Sequence, residues 1–160
     1  MVDERETMKL RVTAARERLA ALPATASDEP GPPDEKTGER WGRYNVLGHL
    51  AEILPYWIGE LTVAMNEGAP IGRQPGSTER RAGIDGGRAV GEAKLREQVD
   101  AGMADLVGFL DRLHPGDLDR TITMRGRGEQ PARWAVENLL VGHVEEHCAQ
   151  LSELGGSAAG

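Results

Sequence analysis

The sequence is poor in cysteine and in aromatic residues. Its 160 residues include one cysteine, Cys148, and aromatic side chains make up 4% of the chain. A single cysteine excludes an internal disulfide, which is typical of proteins in a reducing compartment. Because aromatic and β-branched residues favour strands, their scarcity argues against a sheet-rich fold. We therefore expect a helical protein.

An excess of positive charge, a long apolar run and a secretory signal are also missing. The net charge of −7 argues against nucleic-acid binding, which requires a basic surface. The most apolar stretch, residues 46–65, contains His49, Pro55 and two glutamates, so membrane insertion would bury charged groups. Residues 1–6 are charged and lack the apolar core of a signal peptide. We expect a cytoplasmic protein.

The sequence does contain four segments with helical periodicity, at about residues 3–22, 41–68, 90–113 and 131–155. Apolar residues in each segment recur at spacings of three and four, as in the inward face of a bundle helix. The pattern predicts an all-α four-helix bundle in one domain, residues 1–154, with a flexible tail at 155–160. The predicted inward positions are Met8, Val12, Ala15, Leu19 and Leu22, then Val46, Leu50, Ile53, Trp57, Leu61 and Met65, then Val99, Met103, Leu106, Leu110 and Leu113, and finally Val136, Leu140, His143, His147, Leu151 and Leu154.

Prolines and glycines mark the breaks between these helices. Pro23 ends the first helix, and residues 23–40 are predicted to be a long linker. Residues 68–88 are rich in glycine and arginine and are predicted to form a second long, mobile loop. We expect a kink at Pro55 in the second helix, because proline removes one backbone hydrogen bond. Between the third and fourth helices we expect at most a short extended segment.

The arginines of residues 68–88 stand out in an acidic protein. One interpretation is a solvated loop. The alternative is an anion-binding lid over a site, with Arg80 and Arg81 as its binding residues, since guanidinium groups pair well with carboxylates and phosphates.

Two histidines occupy the predicted inward face of the fourth helix. His143 and His147 are four residues apart and therefore lie one turn apart on the same side. A buried imidazole with an unsatisfied ring nitrogen costs about 1–3 kcal/mol. A divalent metal ion removes that cost, because neutral imidazole is a common ligand for zinc, nickel, copper and iron.

His49 on the second helix completes the candidate site. Three histidines from two helices leave coordination positions open for water or substrate, which favours a catalytic over a structural metal site. Glu52 and Glu146 each follow a histidine by three residues. Each is either a surface carboxylate or a group that reaches the metal, orients an imidazole or acts as a base. Cys148 is expected to be a small buried residue.

The motif Trp41-Gly-Arg-Tyr-Asn-Val-Leu-Gly-His49-Leu-Ala-Glu52 and the motif Leu140-Val-Gly-His143-Val-Glu-Glu-His147 resemble the second and final helices of the DinB-like superfamily. This superfamily of damage-inducible and thiol-dependent proteins includes the N-terminal domain of mycothiol-dependent maleylpyruvate isomerase and the bacillithiol S-transferases. The resemblance covers nearly the whole chain in helix order and histidine placement.

The resemblance implies a four-helix bundle, often a homodimer, with zinc or nickel bound by His49, His143 and His147. It also implies a low-molecular-weight thiol such as mycothiol as the co-substrate, whose reactive thiolate the metal favours. The isomerase has a further C-terminal domain after the bundle, and because the given residues end after the predicted fourth helix, we do not expect the isomerase reaction itself.

Three functional hypotheses follow from the sequence. The first is a metal-dependent transferase or hydrolase that acts on a small molecule and uses a thiol. The second is a metal-binding stress protein without turnover, which acts through its dimer or a partner. The third is a plain helical bundle whose histidines are hydrogen-bonded core residues.

Overall fold

The computed structural model describes residues 2–24, 27–74 and 76–156. Of the predicted tail, residues 155 and 156 end the last helix, and residues 157–160 lie outside the described part of the chain. The helices are α1 (Glu4–Ala21), α2 (Arg43–Glu67), α3 (Thr78–Val90), α4 (Glu92–Arg112), α5 (Ala132–Ala135) and α6 (Gly142–Gly156), with a π-helical segment at Val136–Val141 and a 3₁₀ turn at Asp117–Asp119. Two strands, β1 (Thr121–Met124) and β2 (Gly128–Pro131), precede α5.

The predicted all-α bundle is confirmed. Nearly all of the predicted inward residues of α1, α2 and α4 are buried, with Leu22 partly buried at the edge of the core. The first two helices agree with the predicted segments 3–22 and 41–68. Asp3 caps α1 by accepting a 2.9 Å hydrogen bond from the backbone N–H of Arg5, and Gly68 ends α2 with a φ of 72°. No helix within the described residues has both the length and the apolar character that crossing a bilayer requires.

The prediction that residues 68–88 form one long mobile loop is wrong for its second half. Residues 78–90 form α3, which Ser77 caps by accepting a hydrogen bond of 3.3 Å from the backbone N–H of Arg80. Four glycines in and beside this segment lower its intrinsic helix propensity, so the local sequence reads as a loop. Packing against α2 and α4 supplies the stability that propensity does not.

Glycines allow α3 to approach α2 at backbone distance. A methyl group at Gly48 would lie 2.2 Å from the carbonyl oxygen of Gly83, and one at Gly87 would lie 2.2 Å from that of Tyr44. Neither contact is possible for a residue with a side chain. The same glycines that suggest a loop in the sequence therefore serve as the contact surface between two helices.

The strands form the short extended connector that the sequence predicts. β1 and β2 pair antiparallel, with Ile122 opposite Gln130, and the side chains of Ile122 and Met124 are buried under the bundle. Ile71, just before α3, pairs in turn with Met124. The sheet therefore contacts the α2–α3 connection at Ile71.

The predicted fourth helix contains an irregularity. The chain enters it through α5, widens to a π-helical turn over Val136–Val141 and continues as α6. Arg11 of α1 spans the irregular turn, donating to Glu137 at 2.7 and 2.8 Å and to Glu145 at 3.1 Å. Since a π turn holds one more residue than an α turn, it rotates α6 about its axis relative to a regular helix.

This rotation corrects the predicted inward face of the last helix. Val136, Leu140 and Leu151 are buried as predicted, but Val144 and Cys148 fill the core between them. His143 and His147 are partly exposed beside that apolar stripe, and so is Leu154. The two histidines therefore border the core on the side that faces α2. Cys148 is the small buried residue that the sequence predicts.

Candidate metal centre

The bundle brings together the three histidines that the sequence singles out. His49 lies in the second turn of α2 and is 3% exposed, and His143 and His147 lie one turn apart on α6. One ring nitrogen from each histidine lies within 4.8 Å of the other two. In the described part of the chain, no cysteine, aspartate or glutamate joins this group. The three histidines can therefore hold a divalent metal ion.

The Nε2 atoms of His49 and His143 face each other. The Nε2 atoms of His49 and His143 are 3.3 Å apart, while the Nδ1 of His147 is occupied by a contact to Gln150. Two nitrogens bound tetrahedrally at zinc–nitrogen distances of 2.0–2.1 Å would be about 3.3–3.4 Å apart. The first pair thus already has the spacing of two ligands of one zinc ion.

Burial keeps all three imidazoles neutral. It lowers the pKa of His49 to about 2 and that of His143 to about 3, and the positive charge of Arg80 acts in the same direction. The pKa of His147 is lowered for the same reason, although Gln150 and Glu146 oppose the shift. A neutral imidazole is the form that binds a metal ion, so these rings need not release a proton before binding at neutral pH.

His49 has a polar atom that the protein leaves unsatisfied. Its Nδ1 is buried and has no hydrogen-bond partner among the described residues. An unpaired buried polar group costs about 1–3 kcal/mol. A metal ion on Nε2 would leave this Nδ1 without a partner, so the free energy of metal binding has to exceed this cost.

Trp41 forms one wall of the cluster, a role that the sequence did not reveal. Its ring stacks on that of His147 at a centroid distance of 5.9 Å and meets His49 edge-on at 5.0 Å. Trp41 precedes α2, and the preceding segment holds it through a 2.9 Å hydrogen bond from the N–H of Gly31 to its carbonyl oxygen. Helical periodicity cannot place a residue that lies outside the helix.

The two arginines of the predicted anion-binding lid point to different places. The Arg80 guanidinium lies 5.9 Å from the centre of the Trp41 ring, and its charge lowers the pKa of all three histidines. Arg81 instead forms ion pairs with Glu39 and Asp85. The structure therefore places Arg80, and not Arg81, beside the histidines.

The two candidate carboxylates are not part of the cluster. Glu52 is held by Arg73, which donates to it from both terminal guanidinium nitrogens and stacks at 4.0 Å on the ring of Tyr56. Glu146 is exposed and acts on His147 only through its charge. Within the described residues, neither carboxylate offers an oxygen to the three-histidine group.

Cys148 is not a ligand either. Burial raises the pKa of its thiol to about 11, and its Sγ contacts the carbonyl oxygen of Ala15 at 3.9 Å on the side of α1. A protonated, buried thiol neither binds a metal nor acts as a nucleophile.

The family of the chain is shown by a sequence match over most of its length. The profile of the DinB superfamily matches residues 11–151, from the middle of α1 to the last turns of α6. The chain belongs to the DinB superfamily. No curated protein and no solved structure matches the sequence.

Membership of the DinB superfamily confirms the resemblance that the two histidine motifs predict. The match spans both motifs and the glycine-rich α3 between them. The bundle and the three-histidine group therefore belong to one continuous domain match, and the metal, substrate and reaction of this DinB-superfamily protein are matters of proposal.

Proposed function

We propose that the protein binds one divalent metal ion, zinc or nickel, through His49, His143 and His147, and catalyses a reaction of a small molecule. The proposed reaction is the transfer of a low-molecular-weight thiol, such as mycothiol, to an electrophile, or the hydrolysis of a small substrate. The observation that carries the proposal is the convergence of three neutral imidazoles within 4.8 Å, with no carboxylate or thiolate of the described chain beside them.

The charge of this ligand set supports a catalytic site. Three neutral imidazoles leave the double positive charge of a metal ion uncompensated, and they leave coordination positions for an exogenous ligand. A metal ion so bound favours the deprotonated form of a coordinated thiol or water. The protein contributes the orientation of the ligands, the wall formed by Trp41 and the shielding of His49 from solvent.

Turnover by the metal-loaded protein tests this proposal. We would incubate it with a panel of thiols and electrophiles and follow thiol consumption, with substrate hydrolysis assayed in parallel. We expect at least one pair to react faster with the wild type than with His49→Ala in the presence of the same concentration of added metal, because that variant lacks one ligand. Equal rates for every pair and for every hydrolytic substrate would contradict the catalytic proposal.

Arg80 supplies the preference for an anionic substrate in this proposal. The metal ion and Arg80 would together place positive charge beside the Trp41 ring, which favours a thiolate or carboxylate ligand. Arg81 is the matched control, because it is the next residue on α3 but pairs with Glu39 and Asp85 instead.

Charge reversal at these two positions separates their roles. We expect Arg80→Glu to weaken azide binding to the cobalt-loaded protein about tenfold, or ~1.4 kcal/mol. Arg81→Glu should change it by less than about twofold, and neither substitution should change metal content, because both lie outside the ligand set. Azide titrations followed by cobalt absorption measure this. Equal effects of the two substitutions would contradict a role of Arg80 in anion binding and leave α3 with a structural role alone.

A non-catalytic, metal-binding stress protein that acts through a homodimer or a partner is the second candidate. One observation favours it. Glu52, one of the two carboxylates that the sequence offers as a base, is engaged by Arg73 from both terminal guanidinium nitrogens. A metal-loaded protein that shows no turnover in the panel above would support this second function.

A further inference from the structure

Gln150 lies one turn beyond His147 on α6, and its side chain is directed at the ring of that histidine. The Oε1 of Gln150 is 2.8 Å from the Nδ1 of His147. We propose that Gln150 is a positioning residue that fixes the tautomer and orientation of His147, so that Nε2 is presented to the metal ion. The inference rests on the metal-binding part of the proposed function.

The tautomer follows from the hydrogen-bond partners. A neutral imidazole carries one proton, on either Nδ1 or Nε2. A carbonyl oxygen can only accept, so a hydrogen bond between Oε1 and Nδ1 requires the proton on Nδ1. The lone pair is then on Nε2, which leaves that atom able to bind a metal ion.

The stacked ring of Trp41 limits His147 in a second direction. The two rings are nearly parallel, with an interplanar angle of 18° and a centroid distance of 5.9 Å. Gln150 fixes rotation of the imidazole in its own plane, and Trp41 restricts its tilt. Together they hold one ligand in place before the metal ion binds, which reduces the entropy lost on binding.

A glutamine has a different electrostatic effect from the carboxylate often found behind a metal-bound histidine. A carboxylate adds negative charge and makes the imidazole a stronger electron donor. A neutral amide orients the ring without adding charge, so the metal ion retains more of its positive character. Gln150 thus continues the pattern of the cluster, in which no acidic side chain of the described residues joins the three-histidine group.

His49 provides an internal contrast. Its Nδ1 has no partner among the described residues, whereas the Nδ1 of His147 has one. His49 on α2 is held in place by burial within the bundle, and His147 is held by its contact to Gln150. Loss of Gln150 should therefore disturb one ligand and leave the other two unchanged.

The alternative is that Gln150 only stabilises α6 through a contact three residues along the helix. Such pairs contribute about 0.2–0.5 kcal/mol to an isolated helix. A purely structural role would change the stability of the protein and leave the metal site as it is. The test therefore needs readouts that report on the metal ligand itself.

The first measurement uses the wild-type protein without metal. The ¹⁵N chemical shifts of the His147 ring distinguish protonated from bare nitrogens. We expect the proton on Nδ1 and a bare Nε2 at neutral pH. A proton on Nε2 would overturn the proposal, and this result does not depend on the folding of any variant.

The second measurement compares Gln150→Leu, which removes the acceptor at similar size, with Gln150→Glu, which restores it and adds charge. We expect Gln150→Leu to lower the affinity for zinc 10- to 100-fold in competition with a chelator, and to alter the absorption spectrum of bound cobalt. Gln150→Glu should recover most of the affinity. The control is Gln98→Leu at an exposed position of α4, which should change neither quantity.

The outcomes separate this inference from the proposed function. Affinity and cobalt spectrum that are unchanged in Gln150→Leu would overturn the role of Gln150, whatever the enzymatic result. Normal metal binding without turnover would overturn only the catalytic proposal. A wild-type protein that binds no divalent metal would overturn both.

Discussion

His143→Ala is expected to remove stoichiometric metal binding. Structural zinc sites with four ligands have binding free energies of about 10–16 kcal/mol, so one ligand accounts for roughly 2.5–4 kcal/mol. Its loss corresponds to a factor on the order of 10²–10³ in the dissociation constant. Among the described residues, no cysteine, aspartate or glutamate joins the three-histidine group and could take the place of His143.

Elemental analysis of protein purified without chelator or affinity tag measures this effect, together with competition against a chromophoric chelator. His114→Ala is the matched control, because His114 is exposed and lies outside the three-histidine group. We expect about one equivalent of metal in the wild type and in this control. If His143→Ala and the wild type both retained less than about 0.1 equivalent after metal supplementation, the histidines would be ordinary core residues.

Gly87→Ala is expected to destabilise the bundle strongly. The added methyl group would lie 2.2 Å from the carbonyl oxygen of Tyr44, so α3 must move away from α2. Overpacking of this kind typically costs about 1–3 kcal/mol and more where backbone is involved. The gain in helix propensity, about 1 kcal/mol, offsets part of this cost.

The neighbouring glycine provides the control for this substitution. A methyl group at Gly86 would meet no atom within 4 Å, although it lies on the same helix. Gly86→Ala should therefore stabilise the protein by about 0.5–1 kcal/mol. Urea unfolding of the two variants measures the difference. Equal stability of the two would mean that α3 does not pack on α2 as described, and the placement of Arg80 beside Trp41 would then lose its support.

The amphipathic segments of the fold were predictable because they carry a regular pattern. In α1, α2 and α4 the spacing of large apolar residues alone identifies the buried face, and the predicted inward residues of α2 are all buried. Local signals also placed the helix ends, as for Asp3 and Gly68. These features depend on neighbours within one or two turns, so tertiary structure has little to add.

The segment α3 was not predictable in this way. Gly83, Gly86 and Gly87 lower its helix propensity and suggest a loop. Whether a glycine is a break or a contact surface depends on what lies opposite, here the backbone of Gly48 and Tyr44. That information is about 35–45 residues away in the chain and becomes available only when the two helices meet.

The candidate site also combines features that the sequence predicts with features that depend on tertiary structure. The sequence by itself determined which side chains can bind a metal: His143 and His147 share a helical face by spacing, and His49 occupies the motif of a second helix. Only the tertiary structure decided how they are presented. The π turn rotates α6 so that Cys148 enters the core and the histidines border it. Trp41 and Gln150 then contact the ring of His147. The physical reason is that periodicity specifies a face of a helix, whereas ring orientation depends on packing and hydrogen bonds between atoms from separate elements.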